Sequence, residues 1–70
     1  MQGQLTNPAA ITAAVDAWLA DDDTAADLLM RLHPAARVLA LRKLGYSTRQ
    51  HLALFGLDDV PEDTIKQVSQ

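Results

Sequence analysis

A chain of 70 residues with 9 acidic and 6 basic side chains, a formal net charge of −3 and no cysteine has room for one domain and excludes a disulfide scaffold or a zinc-thiolate site. The acidic balance argues against non-specific nucleic-acid binding, which draws its affinity from neutralised phosphates, and no segment approaches the roughly 18 apolar residues needed to cross a bilayer. A domain of this size buries only about 60% of its unfolded surface, so a homodimer is expected.

The opening MQGQLTNPAA lacks the positive start and apolar run of a signal peptide, which points to a cytoplasmic protein; residues 1–6 are expected to be flexible, with a single helical domain over 7–70. Asn7 before Pro8 is an N-cap followed by proline at the first helical position. Ile11, Val15, Trp18 and Leu19 then form one apolar stripe, in which Trp18 reads as core ahead of the alternative, an interface anchor. Asp21, Asp22, Asp23 and Thr24 break the pattern and supply N-cap candidates and negative charge for a second helix, whose apolar face is Ala25, Leu28, Leu29 and Leu32. On that helix Asp27 precedes Arg31 by four residues, the favourable order for an ion pair.

Pro34 removes a hydrogen bond and clashes with the preceding turn, so either the helix kinks there or, the favoured reading, His33 ends it and a new helix runs from Pro34 to Leu44. Its apolar residues Ala36, Val38, Leu39, Ala40, Leu41 and Leu44 spread around more than one face, which marks it as the hub of the core. Gly45 suits a left-handed C′ position, with Tyr46 turning back toward Leu41. Ser47 and Gln50 read as a capping box for a helix over Thr48 to Phe55, which Gly56 and Leu57 end by the same device as Gly45 and Tyr46. Pro61 is expected to begin a last, short helix with Glu62 and Asp63 in its first turn and Ile65 and Val68 as a weak apolar edge. The expectation is an all-α fold, a small domain of four or five helices.

Charge runs in blocks along the chain. Asp16, Asp21, Asp22, Asp23 and Asp27 come first, then Arg31, Arg37, Arg42, Lys43 and Arg49, then Asp58, Asp59, Glu62 and Asp63. Two readings follow: the basic centre neutralises its acidic flanks, or Arg37, Arg42, Lys43, Arg49 and Gln50 form a recognition surface around Tyr46. His33 and His51 have no companion ligands at metal-binding spacing and read as cap or surface residues. No phosphate-binding glycine loop, nucleophile elbow or paired catalytic carboxylates occur, so neither an enzyme nor a cofactor is expected.

The glycine-punctuated stretch from Arg37 to Leu57 resembles the core of helix-turn-helix regulators, in two registers. In one, Thr48 to Phe55 leads and Gly56 is the turn, but the reading helix that follows opens with Pro61, Glu62 and Asp63, carboxylates where such proteins meet phosphate. In the other, Arg37 to Leu44 leads and Thr48, Arg49 and Gln50 open the reading helix, where Arg and Gln suit guanine and adenine edges. Here Leu41 stands where the family has a small residue, and His51 where it buries an aliphatic one. In size and character the chain also looks like small phage-encoded inhibitors of host regulators, of the anti-quorum-sensing type, a likeness without a diagnostic motif. That likeness implies a protein that binds and inhibits a larger partner such as a transcription regulator, and it carries over no residues. The charged and aromatic side chains Arg37, Arg42, Tyr46, Arg49, Asp58, Asp59 and Glu62 are the contact set expected from the residues themselves. Sequence-specific DNA binding through Thr48, Arg49 and Gln50 is the alternative.

Overall fold

Proline and glycine divide the chain where the sequence places them. The computed structural model describes residues 5–68, in which five helices run in chain order: α1 Pro8–Leu19, α2 Ala25–Arg31, α3 Pro34–Lys43, α4 Arg49–Leu54 and α5 Glu62–Val68. The principal helix pairs are α1 with α2, α1 with α3, α2 with α3 and α3 with α5. No helix among the described residues is long and apolar enough to cross a membrane.

α3 is the hub because it is apolar on two faces. Ala36 and Ala40 join Ile11, Ala14, Val15 and Leu29 in one buried cluster, while Ala35, Val38 and Leu41 join Leu52, Leu57 and Ile65 in a second. Leu39 and Leu44 touch both clusters, so the two halves share one central helix. The small residues of α3 let its neighbours approach closely, and Leu32, Val38 and Leu41 are the largest side chains that are fully buried.

The helix ends are built from local hydrogen bonds. Asn7 Oδ1 accepts from Ala10 N–H at 2.8 Å, with Pro8 at N1. At the end of α3, Tyr46 N–H donates to the Leu41 carbonyl at 2.8 Å and Gly45 N–H to that of Arg42 at 3.1 Å, with Gly45 at φ +96°. α4 ends identically: Leu57 N–H reaches Leu52 O at 2.9 Å, Gly56 N–H reaches Ala53 O at 3.0 Å, and Gly56 has φ +70°. Both are Schellman motifs. Gly45→Ala is therefore expected to cost about 1 kcal/mol, from the left-handed backbone alone because the added Cβ meets nothing within 4 Å, and Gly45→Asn less; chemical denaturation of both variants checks the order.

α1 closes with the same motif but without glycine. Asp21 takes φ 56°, its N–H bonds Trp18 O at 3.1 Å, and Asp22 N–H bonds Ala17 O at 2.9 Å. Aspartate tolerates this region better than most side chains, which hid the motif from a search for glycine. Asp22 Oδ1 then accepts from both Thr24 N–H and Thr24 Oγ1, each at 2.9 Å, and these bonds hold its carboxyl below the ordinary aspartate value. Thus the aspartate run ends α1, while the side-chain cap expected for α2 is not made: Thr24 stands at its N-cap position with its hydroxyl bonded to Asp22.

Pro34 starts a new helix, as expected, and the break leaves the carbonyls of Met30, Arg31 and Leu32 without helix donors, whereas Leu29 O accepts from Leu32 N–H at 3.1 Å. They are satisfied from elsewhere. Arg37 Nε donates to Leu29 O at 3.0 Å and Leu32 O at 3.1 Å, its Nη2 donates to Met30 O at 3.1 Å, and Leu5 N–H donates to Arg31 O at 3.1 Å. His33 N–H returns a bond to Leu5 O at 2.8 Å, forming an isolated parallel bridge between Leu5 and Leu32. Of the segment 1–6 expected to be flexible, residues 1–4 lie outside the described residues, whereas Leu5 is tied to the α2–α3 junction. His33 itself caps α3, its Nδ1 accepting from Ala35 N–H at 3.1 Å.

Four local expectations are corrected. Thr48, not Ser47, is the N-cap of α4: Thr48 Oγ1 accepts from His51 N–H at 3.1 Å, which moves the start by one residue and dissolves the Ser47–Gln50 capping box. Leu19 is 72% exposed, because the buried stripe of α1 runs through Ile11, Ala14 and Val15 and its last residue points away. Pro61 precedes α5, its carbonyl accepting from Ile65 N–H at 3.2 Å. Finally, Ile65 is 3% exposed and Val68 packs on both clusters, so α5 supplies core and not merely a weak apolar edge.

Candidate functional site

The residues expected to form one contact set are distributed over two places. Arg49, Asp58, Asp59 and Glu62 line a single groove between α4 and the start of α5, with Leu52, Val60 and Pro61. Arg42 joins its edge through an ion pair of 2.6 Å to Glu62. Two residues far apart in sequence are thereby tied together on the surface, where such a pair contributes little to stability.

Arg37 and Tyr46 lie elsewhere. The Arg37 guanidinium is spent on the α2 carbonyls described above, a role that no local pattern reveals because its acceptors are released by Pro34. Tyr46 is half-buried at the centre of an aromatic group, edge-on to Trp18 at 6.3 Å, to His51 at 5.4 Å and to Phe55 at 5.9 Å between ring centroids. Such edge-to-face arrangements place the positive rim of one ring on the negative face of another. His51 Nδ1 is buried with no hydrogen-bond partner among the described residues, which is the polar cost of placing histidine where an aliphatic residue would pack.

The basic block is largely engaged within the fold. Arg31 pairs with Asp27 at 3.3 Å in the expected i, i+4 geometry, Arg42 pairs with Glu62, and Arg37 holds carbonyls. The neutralisation reading of the charge blocks therefore applies to Arg31 and Arg42, while Arg37 is held by carbonyls. Arg49 and Gln50 are exposed on the first turn of α4, but Arg49 shares its groove with three carboxylates.

Sequence reasoning missed the second place. Trp18, Ala26, Met30 and Phe55 surround the mouth of an apolar cleft of about 170 Å³, floored by Leu41 and Leu57. Met30 is 62% and Phe55 41% exposed, whereas Leu41 and Leu57 are buried. The cleft gathers residues from α1, α2, α3 and the segment after α4, so no periodicity within one helix signals it. Trp18, expected as core, is half-buried in its wall.

No protein-family model, curated protein or solved structure matches the chain. The fold class defined above is a five-helix all-α domain, and its function is read from its surfaces alone.

Proposed function

We propose that this chain is a small non-enzymatic regulatory protein that binds a larger protein, such as a transcription regulator, and inhibits it by covering its working face. It acts in the cytoplasm as a homodimer. The observation that carries this reading is the apolar cleft, in which Trp18, Met30 and Phe55 keep exposed apolar surface around a packed floor. Aromatic and methionine side chains at the edge of a depression are the groups that gain most on desolvation by a protein partner. The groove of Arg49, Asp58, Asp59 and Glu62, with Arg42 at its edge, offers mixed charge that fixes orientation more than it adds affinity.

DNA reading through Thr48, Arg49 and Gln50 is the rival, favoured by the exposure of Arg49 and Gln50. Three features weigh against it. The Thr48 hydroxyl is occupied as a cap, α4 has 6 residues and so spans only about 9 Å, and carboxylates flank Arg49 where phosphates would approach.

Titration of the purified protein with genomic DNA fragments, across a range of salt, separates the two readings. The expected result is no retention near physiological salt; specific retention there, abolished by Arg49→Ala, would sink the inhibitor reading. Sedimentation at micromolar concentration tests the dimer, which a monomer refutes.

A further inference from the structure

The apolar cleft does not stand alone. Trp18 and Ala26 also form one side of a second depression, whose other side is Asp21, Asp22 and Asp23. An apolar slot and an acidic shelf therefore share a wall. All three aspartates are exposed, and among the described residues none of them is in an ion pair, since the pairs present are Asp27 with Arg31 and Arg42 with Glu62. The backbone of the turn is held by the Schellman closure of α1, and the Asp22 carboxyl by its bonds to Thr24, beside the slot. Arg37 lines the cleft, but its guanidinium is bound to the α2 carbonyls.

We propose that the cleft bounded by Trp18, Ala26, Met30 and Phe55 is a docking site for a basic segment of a partner protein, which seats one bulky apolar side chain in the slot and lays its cations over Asp21, Asp22 and Asp23. This rests on the protein-binding reading and names the chemistry of the partner. A volume of about 170 Å³ decides the size of the anchor. An apolar cavity of about 150 Å³ accepts a benzene ring, so the slot takes one leucine or phenylalanine side chain and not a whole helix face. Charge decides the flanks: arginine or lysine beside the anchor meets three uncompensated carboxylates, whereas acidic flanks meet repulsion. Basic segments with interspersed apolar anchors are the surfaces with which proteins engage nucleic acid or acidic partners, so occupation of such a segment would block it directly.

Pooled peptide libraries test this, each with one fixed leucine or phenylalanine and flanks drawn from Lys/Arg, Ser/Gln or Glu/Asp. Trp18, the single tryptophan, lies in the wall of the site and reports binding by its fluorescence. The Lys/Arg pool is expected to be enriched over the other two. Replacing the anchor of a selected peptide by alanine should weaken binding roughly tenfold or more, the loss that corresponds to burying one such side chain. Asp21→Asn, Asp22→Asn and Asp23→Asn together retain the turn, because asparagine keeps the Oδ1 acceptor and tolerates the left-handed region. They should weaken binding several-fold and flatten its salt dependence. Ala26→Trp and Met30→Glu, both at exposed positions, should abolish binding while circular dichroism and Tm confirm the fold.

Equal enrichment of neutral or acidic pools, no enrichment of any pool, or undiminished binding by well-folded Ala26→Trp and Met30→Glu variants each overturns the proposal. The broader reading has its own test, in DNA retention, so the two fail separately. Arg49-dependent DNA binding removes the inhibitor role, whereas peptide failure removes only this site.

Discussion

Leu32→Ala is expected to lower Tm by roughly 12–30 °C and to leave a substantial unfolded fraction at room temperature. Leu32 is fully buried at the junction of α2 and α3, packed in the cluster that joins α1, α2 and α3, and its backbone forms the bridge to Leu5. Removing a buried leucine side chain costs about 3–4 kcal/mol, because the neighbours cannot close the void. A single core in a chain of this length supplies only about 3–5 kcal/mol of net stability, and each kcal/mol moves Tm by roughly 4–8 °C. The substitution therefore removes most of the margin. Thermal denaturation followed by circular dichroism reads it directly. A shift below roughly 5 °C, about the effect of 1 kcal/mol, would mean that the junction is not cooperative with the rest of the core.

The second large effect is expected at Arg37, a residue that sequence alone places in a recognition surface. Arg37→Ala should cost about 2–3 kcal/mol, equivalent to a fall in Tm of roughly 10–20 °C, because the Met30 and Leu32 carbonyls lose a charged donor together, while Leu29 O keeps the Leu32 N–H. The helix dipole adds to this, since the guanidinium sits at the negative end of α2. Arg37→Lys keeps the charge but not the planar fork, and it should recover less than half of the loss. Equal stability of the lysine variant and the wild type would assign the effect to charge alone. An unchanged Tm for Arg37→Ala would return Arg37 to the pool of free contact residues.

Arg37 also illustrates why part of the candidate surface was not legible in the sequence. Arg49, Asp58, Asp59 and Glu62 were grouped on the strength of charge and proximity along the chain, and they do line one groove. Arg37 belongs to the same basic block, but its environment depends on what Pro34 does to the helix before it. Sequence places Tyr46 among the arginines as an exposed anchor, yet its neighbours are Trp18, His51 and Phe55, brought from α1, α4 and the end of α4. The apolar cleft draws one wall from each of several helices and leaves no trace in the periodicity of any of them. Asp21, Asp22 and Asp23 were legible as a cap and loop run, but not as the shelf beside that cleft.

The sequence alone carries the punctuation: the cap at Asn7, a cap near Thr48, an interruption at Pro34, the two glycine closures and hence an all-α chain of four or five helices, whereas the structure settles that Pro34 divides rather than bends its helix. These are contacts within about six residues, so their partners are present wherever the chain folds locally. Even here the cap of α4 falls on Thr48 and not Ser47, because adjacent Ser and Thr can both cap and the residue pattern does not choose between them. The tertiary structure decided the fate of each charge and the existence of the cleft. A long side chain such as Arg37 or Arg42 reaches acceptors 5 to 20 residues away, and which acceptor it meets depends on how helices cross, not on the residues beside it.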